Sequence, residues 1–167
     1  ACPPHEAARL VQGSGEPAHG WLAQARSLQH EALSTVYLHA PHARLRQPML
    51  ALRSSAAEPA QFVFDRRQLG GPDGLLAFVI SASTGNSATL TQQVLQQAAR
   101  QLGLTGLQPV QTVVEKRATF ACTPNLQRPD APIAPGLLAC GDYIAGPYPA
   151  TLEGAVRSGL AAARQLP

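Results

Sequence analysis

No apolar run in this 167-residue chain approaches the roughly 18 residues a bilayer-crossing helix needs, so none reads as a membrane span. Charge is sparse: 14% of residues are Asp, Glu, Lys or Arg, and like charges never run five together. The balance is mildly basic, 13 Lys and Arg against 10 Asp and Glu, with a sequence pI near 9.1. The cations are scattered (Arg44, Arg46, Arg53, Arg66, Arg67, Lys116, Arg117, Arg128), and aromatics number one Trp, three Tyr and four Phe. With neither a basic stripe nor a stacking platform, no nucleic-acid partner is expected. Cysteine is limited to Cys2, Cys122 and Cys140, an odd set without a C-x-x-C pair, which argues against a disulfide framework and against a zinc site. Cys140 reads as a buried small hydrophobe. The five histidines lack H-x-x-x-H and H-E-x-x-H spacings; His39 and His42 are the nearest to a shared pair, and no metal is expected. No G-x-S-x-G elbow or other nucleophile–base pattern is present, so no catalytic residue is assigned.

What is present is 45% hydrophobic residues, with 14 glycines and 15 prolines to punctuate them, a globular composition with enough length for a sizeable core. Pro3-Pro4 opens a short helix through about Val11, ended by Gly13-Ser14-Gly15. A second helix is expected from Pro17 to about His30, with Trp21, Leu22, Ala25 and Leu28 as its stripe. Ser34–His39, the stretch near Met49–Leu52, Gln61–Asp65 and Leu75–Ser81 read as strands. Asn86 or Ser87 caps a helix that runs to Leu102, with Gly103 as its C-cap. Val110–Phe120 reads as a long strand and Asn125–Pro135 as a Pro-rich loop. The expected class is α+β, an antiparallel or mixed sheet with covering helices, followed by a terminal strand–helix pair.

That terminal pair, Leu137–Leu166, carries the most information. An apolar run ends at Gly141-Asp142, a Gly/Pro/Tyr-rich loop follows, and a helix starts near Pro149 or Thr151. A strand that delivers a carboxylate beside a helix N-terminus is how α/β proteins build nucleotide and cofactor crevices. Pro149 suits a first helical turn. Small residues at Ala150, Gly154, Ser158 and Ala162 fall on one face, and Gly154 and Gly159 inside a helix each cost about 1 kcal/mol relative to Ala, a cost that close approach would explain. The same pattern also fits an ordinary amphipathic helix with Leu152, Val156, Leu160 and Ala163 in a core.

The segment resembles the C-terminal FAD-binding motif of the flavin-containing amine oxidase and phytoene desaturase superfamily: a strand, Gly-Asp, a variable loop and (P)AT(I/L/M)EGAxxSG. The matching residues are Gly141, Asp142, Ala150, Thr151, Leu152, Glu153, Gly154, Ala155, Ser158 and Gly159. Upstream, VVEKRATFACTP (Val113–Pro124), AQFVFDRRQL (Ala60–Leu69) and STVYLHA (Ser34–Ala40) resemble its squalene-associated branch, whose named activity is hydroxysqualene dehydroxylase of bacterial hopanoid synthesis.

The resemblance implies FAD as cofactor, an apolar isoprenoid substrate and the cofactor-binding residues Gly141, Asp142, Ala150, Thr151 and Leu152. Asp142 would accept from ribityl hydroxyls, Gly141 would let the cofactor pass closely, and the N–H groups near Thr151 and Leu152 would face the flavin. Lys116, Arg117 and Phe120 would lead toward the same site, or form a solvated strand edge. The implied organisation is 1–16 as the end of an FAD-domain segment, 17–132 as a substrate domain and 133–167 as the C-terminal FAD-binding strand and helix of an α/β domain. The family's opening strand with its G-x-G-x-x-G turn has no counterpart: Gly13-Ser14-Gly15 runs into Glu16-Pro17, and Gly70–Gly74 reads as a turn. The expectation is therefore a C-terminal fragment, without tightly bound FAD on its own and prone to self-association. A cytoplasmic place with peripheral contact at an anionic inner-membrane surface is the expected location. A flavin enzyme acting on an amine or a carotenoid, and a non-redox lipid- or partner-binding domain, are the alternatives.

Overall fold

The computed structural model describes residues 2–165, which form two compact units: 31–118, and a second assembled from 2–30 with 119–165. The elements are α1 (Pro4–Ser14), α2 (His19–Ser27), β1 (His30–His39), β2 (Met49–Ala51), β3 (Phe62–Asp65), a 3-10 turn (Arg67–Leu69), β4 (Leu75–Ser81), α3 (Ser87–Leu102), β5 (Gln108–Phe120), β6 (Pro132–Ala134), β7 (Leu137–Leu138) and α4 (Leu152–Ala163). The architecture is mixed α and β around an antiparallel sheet, as the residue pattern predicts.

In the contiguous unit the strand order is β2-β3-β4-β1-β5, with β2–β3, β3–β4 and β4–β1 antiparallel. Alternation sets the buried face: Ser34, Val36 and Leu38 point inward on β1, and Val36 lies opposite Phe78 and Leu38 opposite Leu76. α3 covers that face with Leu90, Val94 and Ala98. Its start is fixed by Asn86, whose side chain accepts from Thr89 N at 2.9 Å, and its end by Gly103 at φ 68°. Two buried polar side chains tie loops to this core. Gln97 clamps Ala60 by accepting from its N–H (2.9 Å) and donating to its C=O (2.8 Å). Asp65 accepts from Leu45 N, Arg67 N and Gln68 Nε2 at 2.9–3.2 Å.

In the discontinuous unit, α1 presents Pro4, Ala7, Ala8 and Val11, and α2 presents Trp21 and Ala25, to a core completed by Leu28, Phe120, Ala139, Tyr143 and Ile144. Trp21 Nε1 donates to Asp130 O at 2.8 Å, so the indole is buried with its one donor satisfied. These contacts move the boundaries. Expected at 16/17 and 132/133, they fall at 30/31 and 118/119, because α2 and the 119–132 stretch pack with the chain ends.

Other expectations shift as well. α2 is shorter than Pro17–His30, because Leu28 turns extended (φ −63°, ψ 113°) and β1 begins at His30. The Pro-rich loop contains β6, paired antiparallel with β7. β7 covers only Leu137–Leu138, and the last backbone bond of that hairpin is Ala139 N to Ala131 O (2.7 Å), so Gly141 opens a turn. Cys140 is half-buried, and Leu166, the expected end of α4, lies outside the described residues. Among the described residues no group of three His, Cys, Asp or Glu is placed to hold a metal, and no helix is long and apolar enough to cross a membrane.

Candidate functional site

The turn from Gly141 to Thr151 is held at both ends. At its start Gly141 N donates to Ser158 Oγ of α4 (3.2 Å), and Ile144 N approaches Gly141 O (3.4 Å). At its close Ala150 N donates to Asp142 O (3.3 Å). Tyr148 and Ala150 adopt positive φ (59° and 56°), a conformation that L residues hold only when their surroundings impose it. The imposing contacts are visible. Tyr148 O accepts from Thr151 Oγ1 (2.7 Å) and sits where a Cβ on Gly154 would be 2.2 Å away, and Ala150 packs on the unit's core. Thr151 is the N-cap of α4, its hydroxyl accepting from Gly154 N at 3.0 Å. Pro149, expected in the first turn, lies two residues ahead of that cap.

Four of the five residues implied as cofactor-binding therefore stand in one turn, and the fifth, Leu152, follows it directly. Asp142 and Ala150 share a backbone bond, Thr151 caps the helix, and Leu152 is its first residue, 87% exposed. Gly141 has an internal reason to be glycine: a Cβ there would lie 2.6 Å from the Tyr143 ring. Tyr143 itself is buried, and burial, followed by Cys2, Cys140 and Asp142 nearby, holds its phenol above the ordinary range, so it stays protonated. The Asp142 carboxylate makes no hydrogen bond or ion pair among the described residues. Leu152 and Glu153 carry N–H groups that precede the capped Gly154 and have no acceptor within the helix. Glu153 is engaged by Arg157 (2.5 Å), whose guanidinium lies 5.0 Å from the centre of the Tyr148 ring.

Two residues enter the site that the sequence pattern did not signal, Arg128 and Tyr148. Arg128 donates from Nη1 to Ile144 O (2.7 Å) and Asp142 O (3.5 Å), and from Nη2 to Gly146 O. Tyr148 enters through its carbonyl, which accepts from Thr151 Oγ1, while Ser158, already part of the motif, accepts from Gly141 N. The partners of Arg128 are backbone carbonyls, which leave no side-chain spacing to detect; its one signal in the sequence was its place before a proline.

The flank of α4 is open. Leu152, Val156 and Leu160, which the ordinary amphipathic-helix alternative placed in a core, are more than half exposed, and Val156 and Leu160 line an open groove of about 520 Å3 with Ile144, Pro147, Glu153 and Arg164. On β5, Lys116 and Arg117 are exposed, whereas Phe120 is buried in the core beside α1 and α2.

Three likenesses bear on this geometry. The chain is 48% identical over 66 residues to a hydroxysqualene dehydroxylase of Sinorhizobium fredii (strain NBRC 101917 / NGR234), a match covering 36% of this chain and 16% of that protein. Its fold superposes on the crystal structure of an oxidoreductase from Methanosarcina mazei with a TM-score of 0.63 and 15% identity, over 90% of this chain and 38% of the other. The chain thus spans a minor part of the length of each. The flavin-containing amine oxidoreductase family matches residues 1–167 throughout, so the capped turn described above belongs to a chain of that family.

Proposed function

We propose that this chain carries the flavin-facing turn of an FAD-dependent oxidoreductase whose substrate is an isoprenoid such as hydroxysqualene. The observation that supports it most is the adjacency of Asp142, Ala150 and Thr151 just ahead of α4. The residues fit the cofactor. A carboxylate with no protein donor is matched to sugar-alcohol hydroxyls, and the N–H groups of Leu152 and Glu153 at the positive end of a helix are matched to an electron-rich ring edge. A bound flavin supplies the hydride chemistry. The chain's own part is to bind and to set the field: Asp142 orients, the α4 start favours added negative charge, and the Thr151 cap holds those donors aimed before any charge develops. The isoprenoid reading rests on the hydroxysqualene dehydroxylase likeness, which covers 36% of the chain.

The test is to purify the protein that carries this chain, record its flavin absorbance, and supply hydroxysqualene with a reductant under anaerobic conditions. Flavin-dependent formation of squalene is expected. A protein that takes up no flavin overturns the whole reading. One that binds flavin but leaves hydroxysqualene unchanged overturns the substrate.

A further inference from the structure

The Gly141–Thr151 turn has few bonds of its own. Its internal backbone contacts are Ile144 N to Gly141 O and Ala150 N to Asp142 O, both long at 3.3–3.4 Å. The Thr151 hydroxyl and the packing of Ala150 hold the end of the turn, but that pair of bonds does not hold the path of residues 142–146. The missing constraint comes from outside the turn, from the loop ahead of β6. Arg128 reaches in with a half-buried guanidinium and takes three carbonyls of alternate residues, Asp142, Ile144 and Gly146, while the carbonyl of the adjacent Pro129 accepts from Ala145 N at 2.9 Å. The planar fork suits this: several donors in fixed directions bridge acceptors that a single ammonium could not reach together. Asp142 O is the junction, because it accepts from both Arg128 and Ala150 N.

The charge also matters. Arg128 has no carboxylate partner among the described residues; its donors go to neutral carbonyls. The guanidinium therefore retains its positive charge beneath a turn whose other end is a helix N-terminus, and both favour an electron-rich group on the turn.

We propose that Arg128 is the positioning residue of the flavin turn: it locks residues 142–146 in the binding conformation through three carbonyls, and its uncancelled charge raises affinity for the anionic, reduced cofactor over the oxidised one. The inference rests on the proposed flavin site.

The experiment compares wild type, R128K and R128M in the protein that carries this chain, with three readouts: amide exchange at Ala145 and Ala150 without cofactor, flavin affinity by fluorescence quenching, and the midpoint potential of the bound flavin. In R128M, exchange at both amides accelerates and flavin affinity falls roughly 10- to 100-fold, while exchange in β4 and α3 is unchanged, which separates a loosened turn from global unfolding. R128K keeps the charge without the fork, so it loosens the turn but retains a potential above that of R128M. Wild-type exchange at Ala145 and Ala150 in R128M overturns the clamp. A loosened turn with wild-type affinity shows a structural role alone and overturns the positioning claim, and equal potentials in R128K and R128M overturn the electrostatic part. A wild type that binds no flavin refutes the site assignment itself, a result distinct from the failure of Arg128 within a working site.

Discussion

Asp65 is 2% exposed and ionised, and it survives there because its oxygens are occupied. Burial by itself pushes the carboxyl up; the hydrogen bonds from the Gln68 side chain and from Leu45, Arg67 and Gln68 N–H outweigh it and hold the group below its ordinary value of 3.8. A folded pKa below the unfolded one means the stabilisation is fully present above the unfolded value and is lost as pH falls through the folded one. Asp65→Asn is therefore expected to cost about 1–3 kcal/mol at neutral pH. That gap narrows as the medium is acidified below the ordinary carboxyl range, measured by urea unfolding at a series of pH values. A gap independent of pH would show that the ionised form is not what the bonds select. The glycines of α4 give a sharper contrast. Helix propensity alone favours alanine over glycine by about 1 kcal/mol at both Gly154 and Gly159. At Gly159 nothing lies within 4 Å of the new methyl, so Gly159→Ala should stabilise by about 0.5–1 kcal/mol. At Gly154 the methyl would meet a backbone carbonyl at 2.2 Å, so sterics win and Gly154→Ala should destabilise. Thermal unfolding of the two variants decides; equal shifts would mean that the Tyr148 carbonyl moves aside at no cost.

Helix ends are where residues and elements meet most directly in this chain. Thr151→Ala removes the acceptor for Gly154 N and the donor to Tyr148 O, and an expected loss of about 1 kcal/mol should concentrate in the first turn of α4. Amide exchange at Gly154 reads it, with Thr151→Ser expected to stay near wild type. A uniform change along the helix would instead mean that the cap and the helix body unfold as one. The caps were also what the sequence declared most clearly. Asn86 and Gly103 bound α3 as their side chains and φ preferences require, β4 runs from Leu75 to Ser81 as its pattern indicates, and α4 starts at Leu152, next to the expected Thr151. Periodicity did not reveal what covers a stripe. Leu152, Val156 and Leu160 recur at helical spacing whether they face a core or solvent, and here they face solvent. Nor could the run Leu137–Cys140 announce that only two of its residues pair, since an extended apolar segment looks alike with or without a ladder partner. In the candidate site, the motif residues were recoverable from their types and order. The Arg128 fork was not, because carbonyl acceptors belong to every residue.

At the scale of the whole chain, two features favour association. The face Leu152–Val156–Leu160 is apolar and open, and β5 is a 13-residue edge strand with Val110, Val113 and Val114 exposed. Open apolar faces and long unpaired edges are contact surfaces, so the chain by itself is expected to sediment as a concentration-dependent mixture. Replacing Val156 and Leu160 by Lys and Glu should shift it toward monomer. A single monomeric species across the concentration series would mean that neither surface is adhesive enough to matter.

The division into one contiguous and one interrupted unit also sets an order of events. Residues 31–118 hold their core partners within one stretch, whereas the Trp21 indole waits for Asp130, 109 positions later, before its N–H finds its acceptor. Loop-closure entropy is largest for that second kind of contact and is reduced once the intervening segment has folded and brought its own ends together. The contiguous unit is thus the part that can become native during synthesis, and the half that carries the Gly141–Thr151 turn is assembled last. In a refolding experiment with pulsed amide labelling, protection in β4 and α3 should precede protection in α1 and α2. Should α1 and α2 be protected first, the early helices would be finding each other without the distant strand that completes their core.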